Sequence, residues 1–338
     1  MKHFMTFAFL SGLVLCCHGE EAAIPDDVFR KMSKDKTRWI ANARGAKALE
    51  RFRVVDDLGA PVPRARIEGV WGTPSSNAAT FEGETDTNGV FSVTGVSRDM
   101  VRFTVNKKGF YSSHGEVRYI DTWTVPAVKN GIWQPSDATR RVVLKRIVNP
   151  VEMESSPCLD YYRYPPQGEW TGFDLQKRDW VSPAGSGERP DMLVRFIRQE
   201  RPNGYYKTME VSFTNNPYAG VYQMTVDEQS DLKSVYCADT NATYSASLMF
   251  DVERNETGLR RNDFKEGQYF VFRTRTSVDD DGKLKSAHYG KIYGDWRFCE
   301  RGGMAIQRID FNPRPNDTNL EDAETARLSE LNRRNDCR

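Results

Sequence analysis

The amino-acid sequence predicts an all-β protein: an N-terminal seven-stranded β-sandwich, a second antiparallel β domain, and short terminal helices. Three observations carry that expectation. From about residue 48 the chain breaks into short runs in which apolar and polar residues alternate, as in Tyr269-Phe270-Val271-Phe272-Arg273, the period of a strand with one buried face. Turn dipeptides such as Asn88-Gly89 and Asp281-Gly282 punctuate the runs and suit hairpins because they tolerate positive φ. Stretches rich in helix formers are confined to residues 25–46 and 320–334.

The chain opens with the features of an export signal. Lys2 and His3 form a polar start, Phe4 to Cys17 is apolar apart from Thr6, Ser11 and Gly12, and Cys17 and Gly19 are small residues placed for cleavage before Glu20. Residues 1–19 are therefore expected to be a signal peptide. Acylation of Cys16 or Cys17, which would make a lipoprotein, is the lesser alternative because Leu15 is bulky for that signal. A helical lead-in spans 20–47: Pro25 suits a first helical turn, Asp26 and Asp27 suit its positive end, and Val28, Met32 and Trp39 offer an apolar stripe.

Residues 48–147 hold the first set of strands, at Arg51 to Asp56, Val62 to Trp71, Thr80 to Thr85, Val90 to Val93, Met100 to Asn106, Glu116 to Thr122 and Arg140 to Ile147. Seven strands separated by turns are what a sandwich requires. The runs Val54-Val55-Asp56-Asp57-Leu58-Gly59-Ala60-Pro61-Val62, Gly83-Glu84-Thr85-Asp86-Thr87-Asn88-Gly89-Val90-Phe91 and Val101-Arg102-Phe103-Thr104-Val105 through Phe110 resemble the carboxypeptidase regulatory-like domain. That resemblance implies a prealbumin-like (transthyretin-like) sandwich and a non-catalytic accessory role. Its motifs are turn and core positions, so it transfers no active-site residue.

The second domain is expected over 148–317, with strands at Met192 to Arg198, Thr208 to Phe213, Ser245 to Val252, Tyr269 to Thr276, His288 to Tyr293 and Met304 to Phe311. Segments such as Gly172-Phe173-Asp174-Leu175 look like those of uncharacterised exported bacterial proteins that pair this region with a prealbumin-like module. The tail 318–338 is expected to be helical, capped by Asn319, with Leu320, Ala323, Leu328 and Leu331 as a partial stripe.

Composition narrows the function classes. The net charge of +1 over 338 residues provides no overall basic excess for neutralising nucleic-acid phosphates. After the leader no apolar run approaches the ~20 residues that span a bilayer. Without the leader, four cysteines remain, Cys158, Cys237, Cys299 and Cys337, widely spaced and without a CxxC. In an oxidising compartment they are disulfide candidates with three pairings open, and a zinc knuckle is not expected. The chain has no HExxH, no Gly-x-Ser-x-Gly elbow and no Gly-rich phosphate cradle, so no cofactor, metal or catalytic residue is assigned. An EF-hand register through Asp279-Asp280-Asp281 fails because His288 falls where a bidentate glutamate is needed; the segment reads as a hairpin turn.

The stretch from Asp160 to Trp180 is rich in aromatics and acids. Tyr161, Tyr162, Trp170, Asp174 and Trp180 are its candidate ligand-binding residues, since flat aromatic faces flanked by hydrogen-bonding acids suit sugars. Core packing of the same aromatics is the alternative. The favoured function is a non-catalytic exported module at a bacterial cell envelope, in the periplasm, at the outer membrane or outside the cell, with a glycan or an envelope protein as partner. A glycan-acting hydrolase with its site in the second domain is the alternative, and a structural subunit pairing through sheet edges is a third reading.

Overall fold

The computed structural model describes residues 26–331 except 73–77, 120–123, 157–159, 164–167, 214–215, 265–266, 295 and 300–302. The expected signal peptide, Cys158 and Cys337 lie outside the described residues. The protein is all-β with short helices, and its strands fall into several largely antiparallel sheets. It divides into two compact units, Met1–Val105 with Ser113–Leu144, and Asn106–Ser112 with Lys145–Arg338.

The first unit is a sandwich of two sheets. Ala46–Asp56 is the centre of one, paired antiparallel with Val90–Ser97 and parallel with Thr139–Leu144 and Ile132–Trp133, with Val128–Lys129 beyond. The other runs in the order Thr80–Glu84, Arg66–Trp71, Met100–Asn106, Ser113–Arg118. Alternation in the central strand buries Ala46, Ala48, Glu50, Phe52 and Val54 and exposes Lys47, Arg51 and Arg53. The Phe52 ring lies 4.7 Å from that of Phe103 in the facing sheet, and burial of each such ring contributes about 1.5–3 kcal/mol. The Asn-Gly turn forms as its residues require. Asp86 Oδ1 accepts the N–H groups of Asn88 at 2.9 Å and Val90 at 2.7 Å, and Gly89 has φ 73°. A Cβ at residue 89 would sit 2.4 Å from the Val54 carbonyl oxygen.

The lead-in differs from expectation. It is two helices, Asp26–Ser33 and Lys36–Arg44, interrupted where Asp35 caps the second by accepting from the Thr37 N–H at 3.0 Å. The second helix turns Arg38 and Ala41 inward, which leaves Trp39 68 % exposed rather than in an apolar stripe. His114 lies on Ser113–Arg118, buried, with Nδ1 3.0 Å from Thr104 Oγ1.

The second unit stacks a six-stranded and a five-stranded sheet, with a three-stranded sheet beside them. The six-stranded order is Asp179–Trp180, Thr171–Asp174, Met192–Arg201, Gly204–Ser212, Ser247–Asn255, Gly258–Asn262; the five-stranded order is Glu154–Ser155, Arg308–Phe311, Leu284–Tyr293, Tyr269–Val278, Gly220–Met224. The small sheet comprises Asp160–Arg163, Gly303–Ile306 and Arg297–Cys299. Phe173, Met192, Val194, Phe196, Met209 and Val211 of the first sheet share one core with Phe270, Phe272, Ile292, Ile309 and Phe311 of the second. The Asp279 turn is the expected hairpin: its Oδ1 accepts from Asp281 at 3.0 Å and Lys283 at 2.8 Å. The C-terminal helix is Ala323–Glu330. Its cap is Asp322, which accepts from the Thr325 N–H at 2.9 Å, not Asn319, and Leu331 is exposed. Among the described residues no helix is long and apolar enough to cross a membrane.

Candidate functional site

Strand alternation decides where the aromatic stretch goes. Phe173 pairs with Trp180 across the edge of the six-stranded sheet, and both point into the core. Trp180 is nearly buried, its ring edge-on to Phe173 at 5.1 Å and to Phe196 at 6.1 Å, and its indole N–H donates to the Arg163 carbonyl at 2.8 Å. Tyr162 packs edge-on to Phe173 at 4.9 Å in the same core. These two candidates are packing residues that a surface ligand does not reach. The Tyr161 backbone pairs with Ala305, while its side chain lies outside the described residues. Trp170 differs. It is 44 % exposed, with the Arg195 guanidinium 4.7 Å from its ring centroid.

Asp174 is a clamp. Its Oδ1 accepts the N–H groups of Gln176 (3.0 Å) and Lys177 (2.9 Å), its Oδ2 those of Glu188 (2.9 Å) and Arg189 (3.0 Å). Arg275 completes it, 2.9 Å from Asp174 and 2.9 Å from Asp191. Burial pushes the Asp174 carboxyl up, but the backbone donors and the Arg275 charge outweigh it and hold the group below its ordinary value. Arg275 sits on a β-bulge at φ 50°, a conformation that costs a non-glycine residue of order 1 kcal/mol. It reaches Gln176 Oε1 and lies 4.7 Å over the Phe311 ring. His288 stacks on the Phe311 ring, with centroids 5.7 Å apart.

The outer face of the six-stranded sheet gathers Trp170 with residues not singled out from the sequence. Register places Arg195 beside Glu210 and Glu210 beside Met249, Ile197 beside Thr208 and Thr208 beside Asp251, and Gln199 beside Tyr206 and Tyr206 beside Glu253. The row from Trp170 to Met249 therefore crosses the sheet over about 14 Å, three strand spacings. Arg195 Nε donates to Glu210 at 2.8 Å. Thr208 Oγ1 donates to Asp251 at 2.8 Å, and Arg261 meets Asp251 at 3.0 Å and Asp263 at 2.8 Å. A hydrogen bond to Asp251 raises the pKa of the Tyr206 hydroxyl, and the Arg201 guanidinium lies 5.4 Å from that ring. The result is a sheet face that displays rings and paired charges, with Thr208 and Asp251 buried beneath them. The hairpin at Pro202-Asn203-Gly204, which closes Arg201 onto Gly204, was the signal in the sequence that would have brought Arg195 opposite Glu210.

No family model matches the chain, and no curated protein matches it. Among solved structures it is similar to 3-chlorocatechol 1,2-dioxygenase from Rhodococcus opacus 1CP, at 12 % identity over 31 % of this chain and 61 % of that one, with a TM-score of 0.25. It thus spans less than two thirds of the dioxygenase. It is also similar to BcpA, the major pilin subunit of Bacillus cereus, at 11 % identity over 81 % of this chain and 99 % of that one, with a TM-score of 0.22. The shaft pilin spaA from Lactobacillus rhamnosus GG matches at 10 % identity over 72 % of this chain and 92 % of that one, with a TM-score of 0.20. Likenesses this distant bear on neither activity nor partner.

Among the described residues no group of three or more His, Cys, Asp or Glu side chains is placed to hold a metal ion. Of the disulfide candidates, Cys237 is an exposed free cysteine, and the side chain of Cys299 is outside the described residues along with Cys158 and Cys337.

Proposed function

We propose that the protein is an exported, non-catalytic β-sandwich module of a bacterial cell envelope that binds a glycan on the outer face of its six-stranded sheet. The observation that carries this reading is Trp170, an exposed ring braced by Arg195 at the edge of a polar sheet face. A sugar ring presents one apolar face and a rim of hydroxyls. Trp170 and Tyr206 supply rings for the first, while Glu210 and the arginines supply hydrogen-bond partners for the second. Residues 1–19 supply the export signal, and the first unit supplies the scaffold that its resemblance to the carboxypeptidase regulatory-like domain implies.

The carboxylates beside the aromatic stretch support binding over hydrolysis. A glycosidase acid needs a raised pKa. Asp174 and Asp179 are both lowered; at Asp179 burial raises the group, but the Ser186 hydroxyl, the Ser186 N–H and the Trp180 N–H outweigh it.

The test is a glycan array with polysaccharide depletion on the mature protein, beside Trp170→Ala. Binding that falls at least tenfold in the variant is the expected result. Binding unchanged by Trp170→Ala, no binding to any glycan, or release of shortened sugars from a polysaccharide would each overturn the reading.

A further inference from the structure

The first unit carries a second surface of different chemistry. On its sheet built around Ala46–Asp56, the side chains facing away from the core include Lys47, Arg51 and Arg53, all exposed. Register adds to them. Arg141 lies beside Arg53 and Thr139 beside Arg51 on the parallel neighbour, and Ser92 lies beside Arg51 and Val96 beside Lys47 on the antiparallel one. Lys47 also pairs with Ile132, which pairs with Lys129, so a fifth cation shares the face. The acid of the central strand, Glu50, points the other way: it is buried, 3.2 Å from Arg140, and accepts from the Tyr119 hydroxyl at 2.9 Å.

These five cations are an exception within their own fold. On the facing sheet of the same unit, Arg66 meets Glu82 at 3.0 Å and Arg102 meets Glu116. On the second unit's outer face Arg195, Arg201 and Arg261 each meet a carboxylate. Among the described residues, by contrast, Lys47, Arg51, Arg53, Lys129 and Arg141 make no ion pair, and the five strands of their sheet place no acid on that face. Arg53 and Arg141 stand about 4.8 Å apart on neighbouring strands. Like charges directly opposite each other are destabilising, so the sheet carries a repulsion that an external anion would relieve.

We propose that this face binds a linear polyanion, specifically an acidic polysaccharide, whose carboxylates are received by Arg51, Arg53 and Arg141 with Lys47 and Lys129 at one end. Guanidinium groups take carboxylates in bidentate pairs, and the exposed hydroxyls of Ser92, Thr94 and Thr139 between the cations match neutral sugar hydroxyls. A single-stranded nucleic acid site interleaves its cations with exposed rings for base stacking; the aromatics of this sheet, Phe52, Phe91 and Trp133, fall on the inward register. A membrane site needs an apolar cluster to insert, and Val96 is the one strongly exposed large apolar residue of these strands. The proposal lies on the other unit and does not rest on the Trp170 face.

The experiment titrates the mature full chain with sodium polygalacturonate, with dextran as the uncharged comparator, a DNA duplex and phosphatidylglycerol vesicles, at 20 and 200 mM salt. Polygalacturonate is expected to bind and to weaken at least tenfold at the higher salt. The double variant Arg53→Thr, Arg141→Thr should lose at least tenfold of that affinity while its Tm equals or exceeds the parent's, because the like-charge pair is gone. Equal polygalacturonate binding by the variant would overturn the proposal. So would tighter binding of the duplex or the vesicles, or a variant Tm several degrees below the parent, which would give the arginines a structural role instead.

Discussion

Arg275→Ala is the sharpest probe of how the second unit is held together. In the native protein Asp174 and Asp191 are each 1 % exposed and share the Arg275 guanidinium, with Nη2 2.9 Å from Asp174 and 3.1 Å from Asp191 and Nε 2.9 Å from Asp191. Their remaining bonds, such as the Leu175 N–H to Asp191 Oδ2 at 2.9 Å, supply dipoles but no charge. Removing one member of a buried charged set costs about 3–5 kcal/mol, because the others stay desolvated without their counter-ion. Glycine at the same place should cost about 1 kcal/mol less, since φ 50° suits it. For a unit of this size about 3–5 kcal/mol lowers Tm by roughly 10 °C. Urea unfolding followed by tryptophan fluorescence measures the free energy directly. The cost should also depend on pH. Asp174 is lowered in the folded state, so its contribution is present above the unfolded value of 3.8 and is lost as pH falls through the lower folded value. The gap between parent and Arg275→Ala should therefore narrow below 3.8. Asp191→Asn in the Arg275→Ala background should recover part of the loss. A cost under about 1 kcal/mol, or strict additivity of the two substitutions, would refute the clamp.

Trp180→Ala, which empties a core site, should lower stability by about 3–5 kcal/mol in the same urea assay, whereas Trp170→Ala should stay within about 0.5 kcal/mol and show its effect in binding. Burial, and then the neighbouring Arg275 charge, lower the His288 pKa below 6.5 despite the opposing Asp191 charge; the unfolded chain takes that proton first, so Tm should decline as pH falls from 7.5 toward 5, and His288→Gln should flatten the decline. Lys291 is buried with Nζ 3.5 Å from Asp310 and 2.5 Å from the Leu320 carbonyl; burial lowers its pKa but Tyr293 and Asp310 together raise it, so it stays charged. Lys291→Met should cost about 3 kcal/mol in urea unfolding, and less when combined with Asp310→Asn.

What could be read from the sequence was what neighbours along the chain decide. The hairpin turns at Asp86 and Asp279 close through an aspartate oxygen accepting amides two and four residues on, so four or five residues carry the whole signal. Most of the longer strands of both units were legible for the same reason, since alternation is a local pattern, whereas short strands such as Gly220–Met224 and Thr171–Asp174 were not. The helix break was missed although part of its signal is local, Asp35 accepting the Thr37 N–H two residues on; its second tie, the Ala127 N–H at 2.7 Å, comes from 92 residues away. The aromatic stretch misled in a related way. Tyr162, Trp170 and Trp180 read as one platform in sequence, yet each lies on a separate segment whose own pairing sets its direction, and two of the three turn into the core.

The two surfaces proposed for binding follow from the same limit. Arg195 and Glu210 are 15 residues apart and meet through a hairpin, so a correct register would have found them. Arg53 and Arg141 are joined by a parallel pairing, for which the intervening chain gives no turn signal. A net charge of +1 then conceals the result, because it averages a face of paired charges with one whose five cations make no ion pair among the described residues. Charge asymmetry in a β-sandwich is a property of sheet faces. It emerges only once strand order and register say which side chains stand side by side, and here that step separates a neutral, ring-bearing surface from a basic one on the same chain.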